Sequence, residues 1–185
     1  MPRNATHTFD GLTVGYGTHT VDNNIWSAYE SSNGLVTIQR EYILADLPDT
    51  FAATNVGPQD HVVPRGSIIK SAVIHVLAAA DSTGDNLTVD IGTWGVGLAT
   101  EVVDVADGIV ADVTQAEIGI IGQGYLCDGT MIANATTAAV SVGATSNSDC
   151  VISMSYETAA ASTGTVRLVV EYMPPSGSFG RVIAN

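Results

Sequence analysis

The feature that most constrains this chain is the stretch from 63 to 95, VPRGSIIKSAVIHVLAAADSTGDNLTVDIGTWG. In an extended chain Ile69, Val73, His75, Leu77 and Ala79 fall on one face, and Ile68, Ala72, Ile74 and Val76 on the other. A run apolar on both faces fits a strand covered on both sides, although its periodicity also suits a buried helix. The β-branched residues Ile68, Ile69, Val73, Ile74 and Val76, behind the breaker Pro64-Arg65-Gly66, decide for a strand. Asp81 to Asn86 supplies turn residues, with Gly84 free to take a positive φ. Leu87, Val89 and Ile91 then alternate with Thr88 and Asp90, which predicts a second strand with one wet face. The expectation is a hairpin that seeds an antiparallel β domain.

A length of 185 residues suits one domain with a sizeable core. Charge narrows the choice of partner. Arg3, Arg40, Arg65, Lys70, Arg167 and Arg181 are the only basic residues, and the formal net charge is -13. Between Lys70 and Arg167 there is no Lys or Arg, yet eleven Asp or Glu occur there. Such a balance repels phosphate backbones and anionic membrane surfaces, so neither nucleic acid nor membrane is expected as a partner. No apolar run approaches the ~20 residues of a spanning helix, and the first residues lack the apolar core of a secretory signal. The expectation is a soluble chain made in the cytosol, or one whose signal has been removed. Cys127 and Cys150 are too few for a disulfide framework and lack metal-ligand spacing, so two buried free thiols are expected.

Along the chain, residues 1–33 are polar and only sparsely apolar, and they read as an extended N-terminal arm. Phe9, Leu12, Val14 and Tyr16 are its candidate contact residues. Residues 34–175 read as the β domain, and 176–185 as a C-terminal tail. Residues 35 to 44 form a strand with Val36, Ile38, Tyr42 and Leu44 inward and Arg40 at the rim of the sheet. Residues 45 to 62 read as a long loop ending in a short strand near Val62-Val63. From 96 to 135 short strands and loops are expected, with one helical turn near Asp112 to Glu117. Residues 137–143 and 149–157 read as a hairpin across a turn at 144 to 148. The last strand follows Gly164, with Val166, Leu168, Val170 and Tyr172 on one face. Eight to ten strands predict an all-β, antiparallel two-sheet sandwich of jelly-roll type.

Motifs for chemistry are weak. His7, His19, His61 and His75 never fall in HxH or HxxxH spacing, and His75 reads as a core or rim histidine. There is no GxSxG elbow and no phosphate-binding GxxxxGK[ST]. With nineteen acids some carboxylates will lie close together by chance, which is poor ground for a glycosidase. Asp81, Asp85 and Asp90 depart from the EF-hand pattern, and turn chemistry accounts for them. Trp94, at a loop edge, is a candidate for stacking on a sugar, or equally an aromatic plug at the end of a sandwich core. No catalytic residue, metal site or cofactor is expected.

FDGLTVGYGT at 9 to 18, VPRGSIIKSAVIHVLAAA at 63 to 80, NLTVDIGTWG at 86 to 95 and TVRLVVEYMPP at 165 to 175 resemble small virion proteins of tailed bacteriophages. The likeness is to head decoration, or cement, proteins. It implies a β-rich body, an arm that grips neighbours, frequent trimers, and attachment to major capsid protein on the outer surface of the virion. It carries over no functional residue. The alternative reading is a carbohydrate- or receptor-binding module of a tail or fibre.

Overall fold

A computed structural model describes residues 6–7, 13–14, 18–21, 24–30, 35–49, 61–96, 102–133, 139–175 and 181–182. The chain is an all-β antiparallel sandwich. Its strands are β1 (Thr6–His7), β2 (Thr13–Val14), β3 (Thr18–Val21), β4 (Asn24–Glu30), β5 (Val36–Ile43), β6 (His61–Val62), β7 (Ile68–Ser82), β8 (Thr88–Gly95), β9 (Val102–Thr114), β10 (Gly124–Leu126), β11 (Cys150–Tyr156), β12 (Ala161–Met173) and β13 (Arg181–Val182). One sheet runs β10-β7-β12-β5-β4-β3 and the other β11-β8-β9, while β1-β2 and β6-β13 are small separate pairs. Thus β3 and β4, within the segment expected to be an arm, carry strands of the larger sheet.

β5 follows its pattern: Val36, Ile38, Tyr42 and Leu44 are all buried. Arg40 is not simply at a rim. It reaches between the sheets, its Nη1 donating to the Ile152 carbonyl at 3.4 Å and its guanidinium lying 4.7 Å above the Tyr42 ring. β12 likewise buries Val166, Leu168, Val170 and Tyr172. These face the other sheet across a core that includes Leu87, Val89, Ile91, Val110, Val113, Ile152 and Met154.

The expected hairpin of β7 and β8 does not form. The turn after Ser82 has the predicted chemistry, with Gly84 at φ +83° and the Leu87 amide donating to Ser82 Oγ at 3.2 Å. It nevertheless carries the chain from one sheet to the other. β7 pairs with β12, and β8 pairs with β11. The two consecutive strands act as a ribbon folded across the sandwich against the ribbon β11–β12, an arrangement of jelly-roll type. A short polar turn is compatible with either path, and the partners decide between them.

Two consequences correct the sequence reading. β7 is covered on one face only: Ala72, Ile74 and Val76 are buried, whereas His75 and Leu77 are exposed. A bulge beside Lys70, where Tyr172 pairs with Ile69 but Glu171 with Ser71, lets Ile69 join the buried set. β8, in contrast, has no wet face. It is the middle strand of its sheet, and Asp90, Thr93 and Trp94 are buried with Ile91.

The segment from 96 to 135 holds a longer strand than its broken pattern predicted. β9 runs thirteen residues because bulges absorb its polar interruptions: Ile91 pairs with Val110 but Thr93 with Val105. The expected helical turn is present as α1 (Gln115–Ile118), entered through a capping box in which the Glu117 carboxylate accepts from the Thr114 amide and hydroxyl. The hairpin predicted for 137–157 does not form among the described residues. Residues 139–148 form no strand, and β11 pairs with β8. A buried carboxylate claims the backbone amides of the turn.

Candidate functional site

That carboxylate belongs to Asp104 on β9. Its Oδ1 accepts from the amides of Thr145 and Ser146, both at 2.9 Å. Its Oδ2 accepts from the Gly143 amide at 2.8 Å and the Thr93 hydroxyl at 3.0 Å. Burial pushes the Asp104 carboxyl up, but these four donors outweigh it and hold its pKa below the ordinary value. The same turn is held from outside, where the Arg65 amide donates to Asp149 Oδ1 and the Arg65 Nη2 to Asn147 Oδ1. This is architecture, a loop wound on an internal anion. No sequence motif marks it, since VVDVAD reads as ordinary alternation.

Other carboxylates gather on the face of the smaller sheet. Asp90 Oδ1 accepts from the Asp112 amide at 2.8 Å, and the neighbouring charges, Asp90 foremost, raise the pKa of the exposed Glu157. Asp81, Asp85 and Asp90 are not brought together as one site. Asp85 is exposed and bonded to Gln115 Nε2, while Asp90 is buried. No group of His, Cys, Asp and Glu among the described residues is arranged to hold a metal ion.

Both cysteines are free and buried, as expected. Burial pushes each thiol up to about 12, so both stay protonated and unreactive at neutral pH. His75 is exposed on the open face of β7, not in the core. His61 instead lies against the core, its Nε2 sharing a 2.6 Å hydrogen bond with Tyr172 Oη. Burial lowers the His61 pKa from 6.5 to about 4. Because the folded state resists protonation, stability contributed by neutral His61 is full above pH 6.5 and is lost progressively down to pH about 4. The loss expected is about 3 kcal/mol. Urea midpoints at pH 7 and pH 4.5 measure it; His61→Gln should flatten that slope, and an unchanged slope contradicts the assignment.

Of the candidate contact residues, Phe9, Leu12 and Tyr16 lie outside the described residues. Val14 is in β2, paired with Thr6. Trp94 is 8% exposed and packs in a small cluster with Val62, Val96 and Val151. The sequence reading missed a different surface. Ile120, Ile121 and Leu126 are 63%, 69% and 69% exposed, close together in sequence, with Leu126 in the end strand β10 of the larger sheet. The run Ile118 to Ile121 shows up in the sequence as an apolar fragment broken by glycines, but local pattern does not tell core from surface.

No protein-family model matches this chain, and no curated protein does. Among solved structures, a chain of the capsid of Ralstonia phage GP4 is similar at 16% identity and a TM-score of 0.44, over 77% of this chain and 86% of that one.

Proposed function

We propose that this protein is a non-enzymatic structural component of a tailed-phage particle, a decoration protein on the outer surface of the head. In this reading it bridges neighbouring major capsid subunits, as a trimer around a symmetry axis. The observation that carries the reading is where the resembling stretches fall. Those at 63 to 80, 86 to 95 and 165 to 175 coincide with β7, β8 and β12, the strands through which the folded ribbon is built. Three of the four resembling stretches therefore lie in the body of the sandwich.

Charge supports an outward position. Asp46, Asp49, Asp81, Asp85, Asp107, Asp112, Asp128 and Glu157 are all exposed, which suits a surface turned away from packaged DNA. Many copies would each contribute weak contacts, and symmetry would multiply them into firm attachment. The arm, with Phe9, Leu12, Val14 and Tyr16, supplies some of those contacts by docking on a neighbour. Deleting residues 2–20 should lower occupancy by tenfold or more when purified protein is added to heads lacking it and co-sedimented. Unchanged occupancy overturns the role of the arm, and failure of the intact protein to bind overturns the decoration reading.

A further inference from the structure

We propose that the open edge of β10 is a strand-addition site for an extended apolar segment of another protein, flanked by Lys or Arg. Leu126, Tyr125 and Gly124 form the last strand of the larger sheet, and β7 is their one partner among the described strands. The hydrogen-bond phase shows which way their backbone faces. Val76 N–H donates to the Gln123 carbonyl and Cys127 N–H to the Ala72 carbonyl, each at 2.9 Å. In an antiparallel ladder bonded pairs alternate, so Tyr125, opposite Ile74, also turns its backbone towards β7. Gly124 and Leu126 therefore present their N–H and C=O groups to the open side.

Natural sheet edges usually carry a lysine, a proline or an inward charge that discourages pairing. This edge has none of these. It is Gly-Tyr-Leu, with Ile120 and Ile121 exposed beside it. Gly124 is the telling residue, because packing within the chain does not require it: an added Cβ would meet nothing nearer than 3.8 Å. A glycine with free space around it in a strand leaves room for the close approach of another backbone. Only two outward N–H and two outward C=O groups are on offer, so the exposed aliphatic side chains must supply much of the contact.

Charge selects the occupant. Glu117 and Asp128 flank the strand, and after burial their charges help to raise the Tyr125 pKa. No Lys or Arg occurs anywhere from 71 to 166. Two copies meeting β10 to β10 would oppose these acids to one another, which disfavours self-pairing. A segment with cations beside its apolar residues complements the edge.

The site does not depend on the particle role proposed above, and its test needs only the purified full-length chain. Fluorescein-labelled peptides KVTVTVK and EVTVTVE serve as probes in a polarisation titration at low salt. The basic peptide should bind at least tenfold more tightly than the acidic one. Binding should be lost when its Val-Thr core is N-methylated, because such a peptide cannot join a ladder. The double variant I121S/L126S changes two exposed positions, so it should keep the wild-type melting temperature and bind the basic peptide at least tenfold more weakly. Equal binding of the N-methylated peptide, or unchanged affinity of the double variant, overturns the proposal. So does a concentration-dependent dimer mass that the double variant abolishes, which would make a second copy the occupant.

Discussion

Replacing Asp104 with alanine is expected to be among the most damaging single changes in this protein, costing about 4 kcal/mol. The substitution leaves the amides of Gly143, Thr145 and Ser146 and the Thr93 hydroxyl without the carboxylate they donate to. Each buried donor left without an acceptor costs about 1–3 kcal/mol, and some relief will come from water entering the turn. Asparagine tests whether the negative charge or the shape matters. Its best placement keeps Oδ1 on Thr145 and Ser146 and turns Nδ2 towards Gly143, where two donors then oppose each other. A loss of about 2–3 kcal/mol is expected for Asp104→Asn. Hydrogen exchange gives the local signature: the three amides should lose protection, while those of β7 and β12 keep theirs. pH adds a further check. The Asp104 pKa is lowered on folding, so its contribution is present above about pH 3.8 and disappears only below that, beneath the His61 window. A wild-type melting temperature in Asp104→Ala would contradict the anchoring role.

Gly92→Ala is the second large effect. Here the glycine answers to close approach, because β9 bulges over it and a Cβ would overlap the carbonyl oxygens of Val105 and Ala106. Ladder backbone atoms cannot turn aside as a flexible side chain would. The β8–β9 ladder must open, or the bulge must lift away from the Met131 amide that donates to Gly108 O at 2.8 Å. A cost of at least about 3 kcal/mol follows, beyond ordinary overpacking. In a domain of this size that lowers the melting temperature by about 6–12 °C. Gly124→Ala is the control, since its Cβ enters open space, and it should melt within about 1–2 °C of wild type. Equal melting of the two variants would sink the argument.

The candidate surface was less legible in the sequence than the fold. Leu126 and Val110 are both aliphatic residues in strands, yet one is mostly exposed and the other fully buried. Asp104 and Asp107 sit three residues apart in one strand, and only Asp104 is buried and bonded to a distant turn. In each pair the difference comes from a partner far along the chain.

What the sequence determined by itself was local. The inward faces of β5 and β12, the turn at Gly84 and the capping box of α1 all follow from spacing within a few residues. Steric alternation, positive φ and side-chain-to-backbone bonding act at that range. The tertiary structure alone decided which strand lies beside which. A polar turn after Ser82 serves a hairpin or a crossing between sheets equally well. The crossing prevails because β7 finds its ladder on β12 and β8 on β11, both far away along the chain, as in Met173 opposite Ile68 and Cys150 opposite Gly95. Pairing at that separation also left β10 at the end of its sheet, with Gly124 and Leu126 facing outward.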